Sequence, residues 1–213
     1  MSEVTTSEHF KRKHVRELNF PRNGGVSFAC IGSTRSGKSH CVSFLYDEFF
    51  KKHITILETL SNHSEIYKPF KKTGIICEGF HPELIQEGML VNKRTECHYN
   101  FLYIFDDLAM DGKNNSMMTK LLTVGRNFFC SAIISGQKAT LLSATGRSNI
   151  NYLCLFYQNS DTECEFTIKA FLRSFFPRGM KMIDCIRMYK ELTQNHNFFL
   201  VDTLNNECFL SRI

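Results

Sequence analysis

The sequence predicts an α/β domain with a mainly parallel central sheet flanked by helices. Two stretches carry that prediction. Gly32-Ser33-Thr34-Arg35-Ser36-Gly37-Lys38-Ser39 fits G-x-x-x-x-G-K-[ST], the phosphate-binding loop of P-loop NTPases. Phe101-Leu102-Tyr103-Ile104-Phe105 is an unbroken apolar run that ends in two acids, Asp106 and Asp107. A parallel strand covered on both faces reads as such a run.

The loop has the local context that its chemistry needs. Val26 to Ile31 reads as a short apolar strand, and Ser39 to Lys52 as a helix with Cys41, Phe44, Leu45 and Phe49 on one side. Gly32 and Gly37 allow a tight turn and a close approach to phosphate oxygens. The loop amides and the helix N-terminus then face an anion. The expected phosphate-binding set runs from Gly32 through Ser33, Thr34, Arg35, Ser36, Gly37, Lys38 and Ser39 to His40. Lys38 is placed for the β- and γ-phosphates of ATP, and the Ser39 hydroxyl for Mg²⁺.

Residues 1–23 form a basic N-terminal arm ahead of an ATPase domain at 24–213. Lys11, Arg12, Lys13, His14 and Arg16 suit either a disordered arm that touches nucleic acid or a neighbour, or a solvated tail. Phe20-Pro21 and Asn23-Gly24-Gly25 predict a turn into the first strand. After the loop helix, His53 to Glu58 reads as a second strand and Gly74 to Phe80 as another apolar run. The polar stretch 59–73 between them reads as irregular. His81 to Asn92 is a helix with Pro82 in its first turn.

The carboxyl end of a parallel strand opens onto the ligand crevice. Asp106 is therefore expected to hold Mg²⁺, and Asp107 to act as general base or to orient the attacking water. Asn114 to Gly125 reads as a helix, and Phe128 to Ser135 as a further buried strand ending at Gly136-Gln137. Gln137, beside the acid pair's strand, is placed to hydrogen-bond the attacking water or the γ-phosphate; a loop glutamine with no task is the alternative.

Arg126 precedes its strand and so sits at the end of the sheet away from the crevice. It does not easily reach its own nucleotide but could reach one bound by a neighbouring subunit, as an arginine finger in trans. Arg147, before the strand Tyr152 to Phe156, competes for that role. Either could equally be a surface or ion-pair arginine. Glu163 to Phe176 and Met180 to Leu192 read as helices split by Pro177-Arg178-Gly179. Phe198 to Asp202 and Glu207 to Leu210 flank a turn and predict a terminal β-hairpin.

Bulk properties narrow the class. The 213 residues suit one α/β domain, and 43% apolar residues suffice for its core. A net charge of +5 permits a nucleic-acid partner without requiring one. The nine cysteines include no C-x-x-C pair, so they suggest reduced thiols of an intracellular protein rather than a zinc or thioredoxin motif. No apolar stretch is long enough for a membrane span, and the N-terminus lacks an apolar signal core.

The order of these motifs resembles the poxvirus-type genome-packaging ATPases of large DNA viruses and of virophage- and Maverick-like elements. These belong to the FtsK/HerA superfamily. The resemblance rests on the loop, Asp106-Asp107, Gly125-Arg126 before a strand, Ser135-Gly136-Gln137, Gly146-Arg147-Ser148-Asn149 and the closing hairpin. It spans roughly residues 24 to 210. Asn127 departs from the histidine that often follows the Gly-Arg pair. The resemblance implies a RecA/FtsK-like fold and an ATP- and Mg²⁺-dependent motor that moves double-stranded DNA into a preformed capsid. It further implies a homo-oligomeric ring, a pentamer or hexamer, with capsid or portal proteins as possible partners and no membrane. The setting would be the infected host cell, in a virus factory, the cytoplasm or the nucleus, with association with the virion as the alternative.

A small-molecule P-loop kinase is the competing reading. It would need an acceptor site and a basic lid, for which Lys169, Arg173, Arg178, Lys181 and Arg187 are available. Those residues read better as a solvated or DNA-facing helical surface. A scaffold with a decayed loop is disfavoured by intact Lys38, Ser39, Asp106 and Asp107.

Overall fold

The structure is a computed structural model that describes residues 9–20, 24–60, 65–68, 70–108 and 112–213, with the backbone alone at 112–115. Its strands are β1 (Ser27–Ile31), β2 (Ile54–Thr59), β3 (Gly74–Glu78), β4 (Phe101–Asp106), β5 (Cys130–Gly136), β6 (Tyr152–Leu155), β7 (Phe198–Asp202) and β8 (Glu207–Ser211). They form one sheet in the order β3-β2-β4-β5-β1-β6-β7-β8. The first six are mutually parallel, and β7 and β8 add an antiparallel hairpin at one edge.

The helices are α1 (Lys38–Leu45), α2 (Pro82–Arg94), α3 (Gly112–Val124), α4 (Ala144–Ser148), α5 (Asp161–Thr167) and α6 (Met182–Leu192). Alternate residues of each central strand feed two cores. Phe28, Cys30, Leu102, Ile104 and Ile133 pack with Cys41, Val42 and Leu45 of α1 on one face. Ala29, Ile31, Tyr103, Phe105 and Ile134 pack on the other with residues of α2, α3, α5 and α6. Burial on both faces is the reason the strands read as unbroken apolar runs.

Two predicted helices differ in their ends. The loop helix starts at Lys38 and widens after Leu45 into a π turn, Tyr46–Phe50. The predicted 163–176 helix is α5 followed by a π turn, Ile168–Leu172, and a 3₁₀ turn, Arg173–Phe175. In both, the wider turn keeps large side chains (Tyr46 and Phe50, Ile168 and Leu172) pointing into the core. The polar stretch after β2 contains two 3₁₀ turns, Glu65–Tyr67 and Phe70–Lys72. The turn expected at Pro21 to Asn23 lies outside the described residues.

Residues 9–20 of the basic segment are docked on the domain, neither extended as a free arm nor solvated as a tail. Phe10, Val15 and Leu18 are buried. Lys13 N donates to Leu210 O at 3.2 Å and Leu210 N donates to Lys11 O at 2.9 Å. The segment thus covers the outer edge of β8, which would otherwise present unpaired backbone groups. The Lys13 ammonium lies 4.6 Å from the Phe209 ring centre. The apolar anchors are spaced among cations, so composition alone shows only the charge.

Glu58 marks a pH-sensitive point. Its side chain is fully buried, its Oε2 accepts from His81 N at 2.7 Å at the start of α2, and its Oε1 has no partner. Burial raises its pKa from 4.5 to about 7. The folded chain therefore holds a proton that the unfolded chain releases. This contribution is fully present below pH 4.5 and is lost as pH rises through about 7. The shift corresponds to about 3 kcal/mol. Glu58→Gln mimics the protonated carboxyl, so it should flatten the fall in melting temperature between pH 5 and 8 that the native chain is expected to show.

Candidate nucleotide site

The loop leaves β1 at Gly32 and enters α1 at Lys38. A Cβ on Gly32 would stand 2.5 Å from the Phe156 Cβ, so only glycine fits against Phe156, the residue after β6. Gly37 caps α1 at φ 108°, a conformation that L-residues avoid. The loop is tied on its outer side, where Ser33 N donates to Tyr157 O at 2.8 Å and Asn159 N to Ser33 Oγ at 2.8 Å. The Lys38 side chain is buried along the loop, and its Nζ donates to Ser33 O at 3.0 Å.

A cleft of about 820 Å³ opens over the loop, lined by Thr34, Arg35, Lys38, Ser39, His40, Tyr67, Asp107 and His196 among others. Much of the predicted phosphate set therefore shares one cavity with the second acid of the pair. The strand order supplies the reason. β5 lies between β1 and β4, with Ile31 paired to Gly136 and Asp106 to Ser135. Gly136-Gln137 thus emerges between the phosphate loop and the acids. Asp107 also lines an adjoining cleft with Gly136, Gln137 and Lys138. Among the described residues, it is the one common to the loop's cavity and the glutamine's.

The two acids differ in environment. Asp106 ends β4 and is 1% exposed. The Tyr67 hydroxyl donates to its Oδ2, while its Oδ1 is buried without a partner. Asp107 has left the strand, at φ 52°, and projects to the surface of the cleft. Partial loss of hydration and the neighbouring Asp106 charge raise its pKa, against a lowering by Lys38. A free buried carboxylate oxygen at Asp106 and the Ser39 hydroxyl on the cleft wall are hard oxygen donors, and they fit Mg²⁺.

Neither candidate finger reaches this cleft. Arg126 lies in the turn Gly125–Phe128 before β5, at the opposite end of the sheet, and is exposed. Arg147, on α4, donates to Leu142 O at 2.6 Å and lies 5.2 Å from the Phe166 ring centre. Those contacts give Arg147 a structural task within its own chain. The basic residues at 161–191 form no lid over the cleft. Lys169 pairs with Glu165 and Arg187 with Asp184, while Arg173 donates to Met180 O.

Four cleft residues escape sequence reasoning, Glu65, Ile66, Tyr67 and His196. Tyr67 comes from the irregular stretch after β2 and reaches Asp106 only through the fold. His196 comes from the turn between α6 and β7, where Asn195 and His196 both have positive φ. Its Nδ1 lies 3.3 Å from Ser36 O. The Gln-Asn-His-Asn composition of that stretch signals a turn, but nothing in it signals contact with the loop.

The Poxvirus A32 protein family matches residues 82–208. The chain belongs to that family. The matched region holds Asp106, Asp107, Arg126, Gln137 and Arg147. The phosphate loop lies outside it and rests on its own geometry. No curated protein sequence matches the chain. Among solved structures, it is similar to the genome packaging NTPase B204 from Sulfolobus turreted icosahedral virus 2 in complex with sulfate. That similarity has a TM-score of 0.64 at 15% identity over 88% of this chain and 96% of the other. The ATP-gammaS complex of B204 aligns at a TM-score of 0.61, 15% identity, and 87% and 96% coverage. The pCW3 conjugation coupling protein TcpA aligns at 0.66 and 12% identity, over 91% of this chain and 61% of that one. These similarities show the fold, a mainly parallel P-loop NTPase sheet flanked by helices. By family, fold and phosphate loop, this A32-family chain is a P-loop ATPase. Among the described residues no helix is long and apolar enough to cross a membrane.

Proposed function

We propose that this A32-family ATPase is a translocase that packages double-stranded viral DNA into a preformed capsid, working as a homo-oligomeric ring. The observation that carries the ring is the incompleteness of the cleft. Among the described residues, no arginine lines it apart from Arg35 of the loop itself, and exposed Arg126 lies at the opposite end of the sheet. A neighbouring subunit would bring such a side chain to the γ-phosphate. An arginine supplied in trans is worth on the order of 10³–10⁵ in rate in GTPases. B204, described as a genome packaging NTPase, supports the packaging part of the reading.

In this reading Lys38 exchanges its bond to Ser33 O for the triphosphate. Ser39 and Asp106 would hold Mg²⁺, which would supply neutralising charge to the phosphates. Asp107 orients or deprotonates the attacking water, and Gln137, in the adjoining cleft, carries the phosphate state to the DNA-facing loops. Arg126 is the preferred finger, because Arg147 is already engaged within its own chain.

Steady-state ATPase rate against protein concentration, with and without double-stranded DNA, tests the proposal. The specific rate should climb with both. Mixing in Arg126→Ala subunits should depress it far more than mixing in Arg147→Ala subunits. A rate flat in concentration and indifferent to DNA would overturn the ring motor.

A further inference from the structure

Behind the phosphate loop, three cysteines from three elements converge. Cys30 comes from β1, Cys41 from α1 and Cys154 from β6, and all three are 0% exposed. Their sulfurs all lie within 4.8 Å of one another, and Cys30 Sγ and Cys41 Sγ are 3.8 Å apart. The remaining cysteines form no such group among the described residues.

We propose that Cys30, Cys41 and Cys154 form a three-sulfur site for one soft, thiophilic metal ion. Sulfurs bound to a zinc ion at 2.3 Å stand about 3.8 Å from each other, so this pocket is close to the spacing such an ion imposes. An all-sulfur donor set selects Zn²⁺ or Cu⁺ and rejects hard cations such as Mg²⁺. The surroundings are apolar: Phe28, Val42, Phe156 and Phe198 belong to the same core. An ion that displaces as many thiol protons as it has charges leaves the buried site neutral, which avoids the cost of an uncompensated charge. The ion would tie β1 to α1 and β6, the elements on either side of the loop, and so stiffen the frame that holds Gly32 and Lys38. Because no sulfur is exposed, loading accompanies folding and the ion then resists chelators.

The full chain should be produced under reducing conditions with Zn²⁺ in one arm and Cu⁺ in the other, then exchanged against a chelator. Metal content by mass spectrometry should give one ion per chain in at least one arm, and the retained ion identifies the class. Cys154→Ala should lose that ion and Cys97→Ser should keep it. X-ray absorption on the unmutated loaded chain should show a first shell of three sulfurs, a readout that does not depend on the variant folding. No retained ion in either arm, retention unchanged in folded Cys154→Ala, or a nitrogen or oxygen shell would each overturn the site.

Discussion

Asp107→Asn should bind ATP as the native chain does and turn it over about 10²–10⁴ times more slowly, the range associated with loss of a general base. Among the described residues, Asp107 alone lines both the loop's cavity and the Gln137 cleft. It is also the acid with freedom to act. Asp106 is buried and holds Tyr67, whereas Asp107 projects from a left-handed backbone position into the cleft. Asparagine keeps the size and tolerates positive φ, so the fold and the binding wall survive. It removes the base. Nucleotide affinity by calorimetry and single-turnover hydrolysis separate the two effects. Native turnover in the variant would remove Asp107 from the chemistry and shift attention to Gln137. The raised pKa of Asp107 adds a pH signature: the acidic limb of the native rate profile should lie above that of an ordinary aspartate, because the reactive form is the ionised one.

Lys38→Ala should abolish measurable hydrolysis, by weakening nucleotide binding and by removing a cation that the transition state needs. Lys38 is the cleft's buried cation, and in this structure it rests on a carbonyl of its own loop, 3.0 Å from Ser33 O. That bond is one a phosphate oxygen can replace with a stronger, charge-assisted one. Losing such a bond costs about 1.5–3 kcal/mol, on the order of 10–10² in affinity. Removing a cation aimed at transition-state charge costs on the order of a further 10²–10³ in rate. The loop itself should persist, since Ser33 and Asn159 hold it from the other side. Circular dichroism should therefore be native while ATP binding and turnover fall together. A variant that retained a tenth of native turnover would contradict the assignment.

Much of this molecule is legible in the chain. The phosphate loop, the acid-terminated strand, the glutamine after the next strand and the closing hairpin all show as local patterns. Each depends on short spacing: glycines where the backbone must turn, apolar runs where both faces are covered, polar residues at strand ends. Tertiary packing supplied the rest. The placement of β5 between β1 and β4 brings Asp107 and Gln137 to adjoining cavities, and no local pattern encodes strand order. Tyr67 reaches Asp106, and His196 reaches the loop, across distances in sequence that periodicity does not sense. Phe10, Val15 and Leu18 turn a basic segment into a cover for β8. Three cysteines that look unrelated along the chain meet at one point. Periodicity reports which side of an element is buried, because that follows from backbone geometry. What lies against that side depends on how the elements assemble, a property of the whole sheet rather than of any segment.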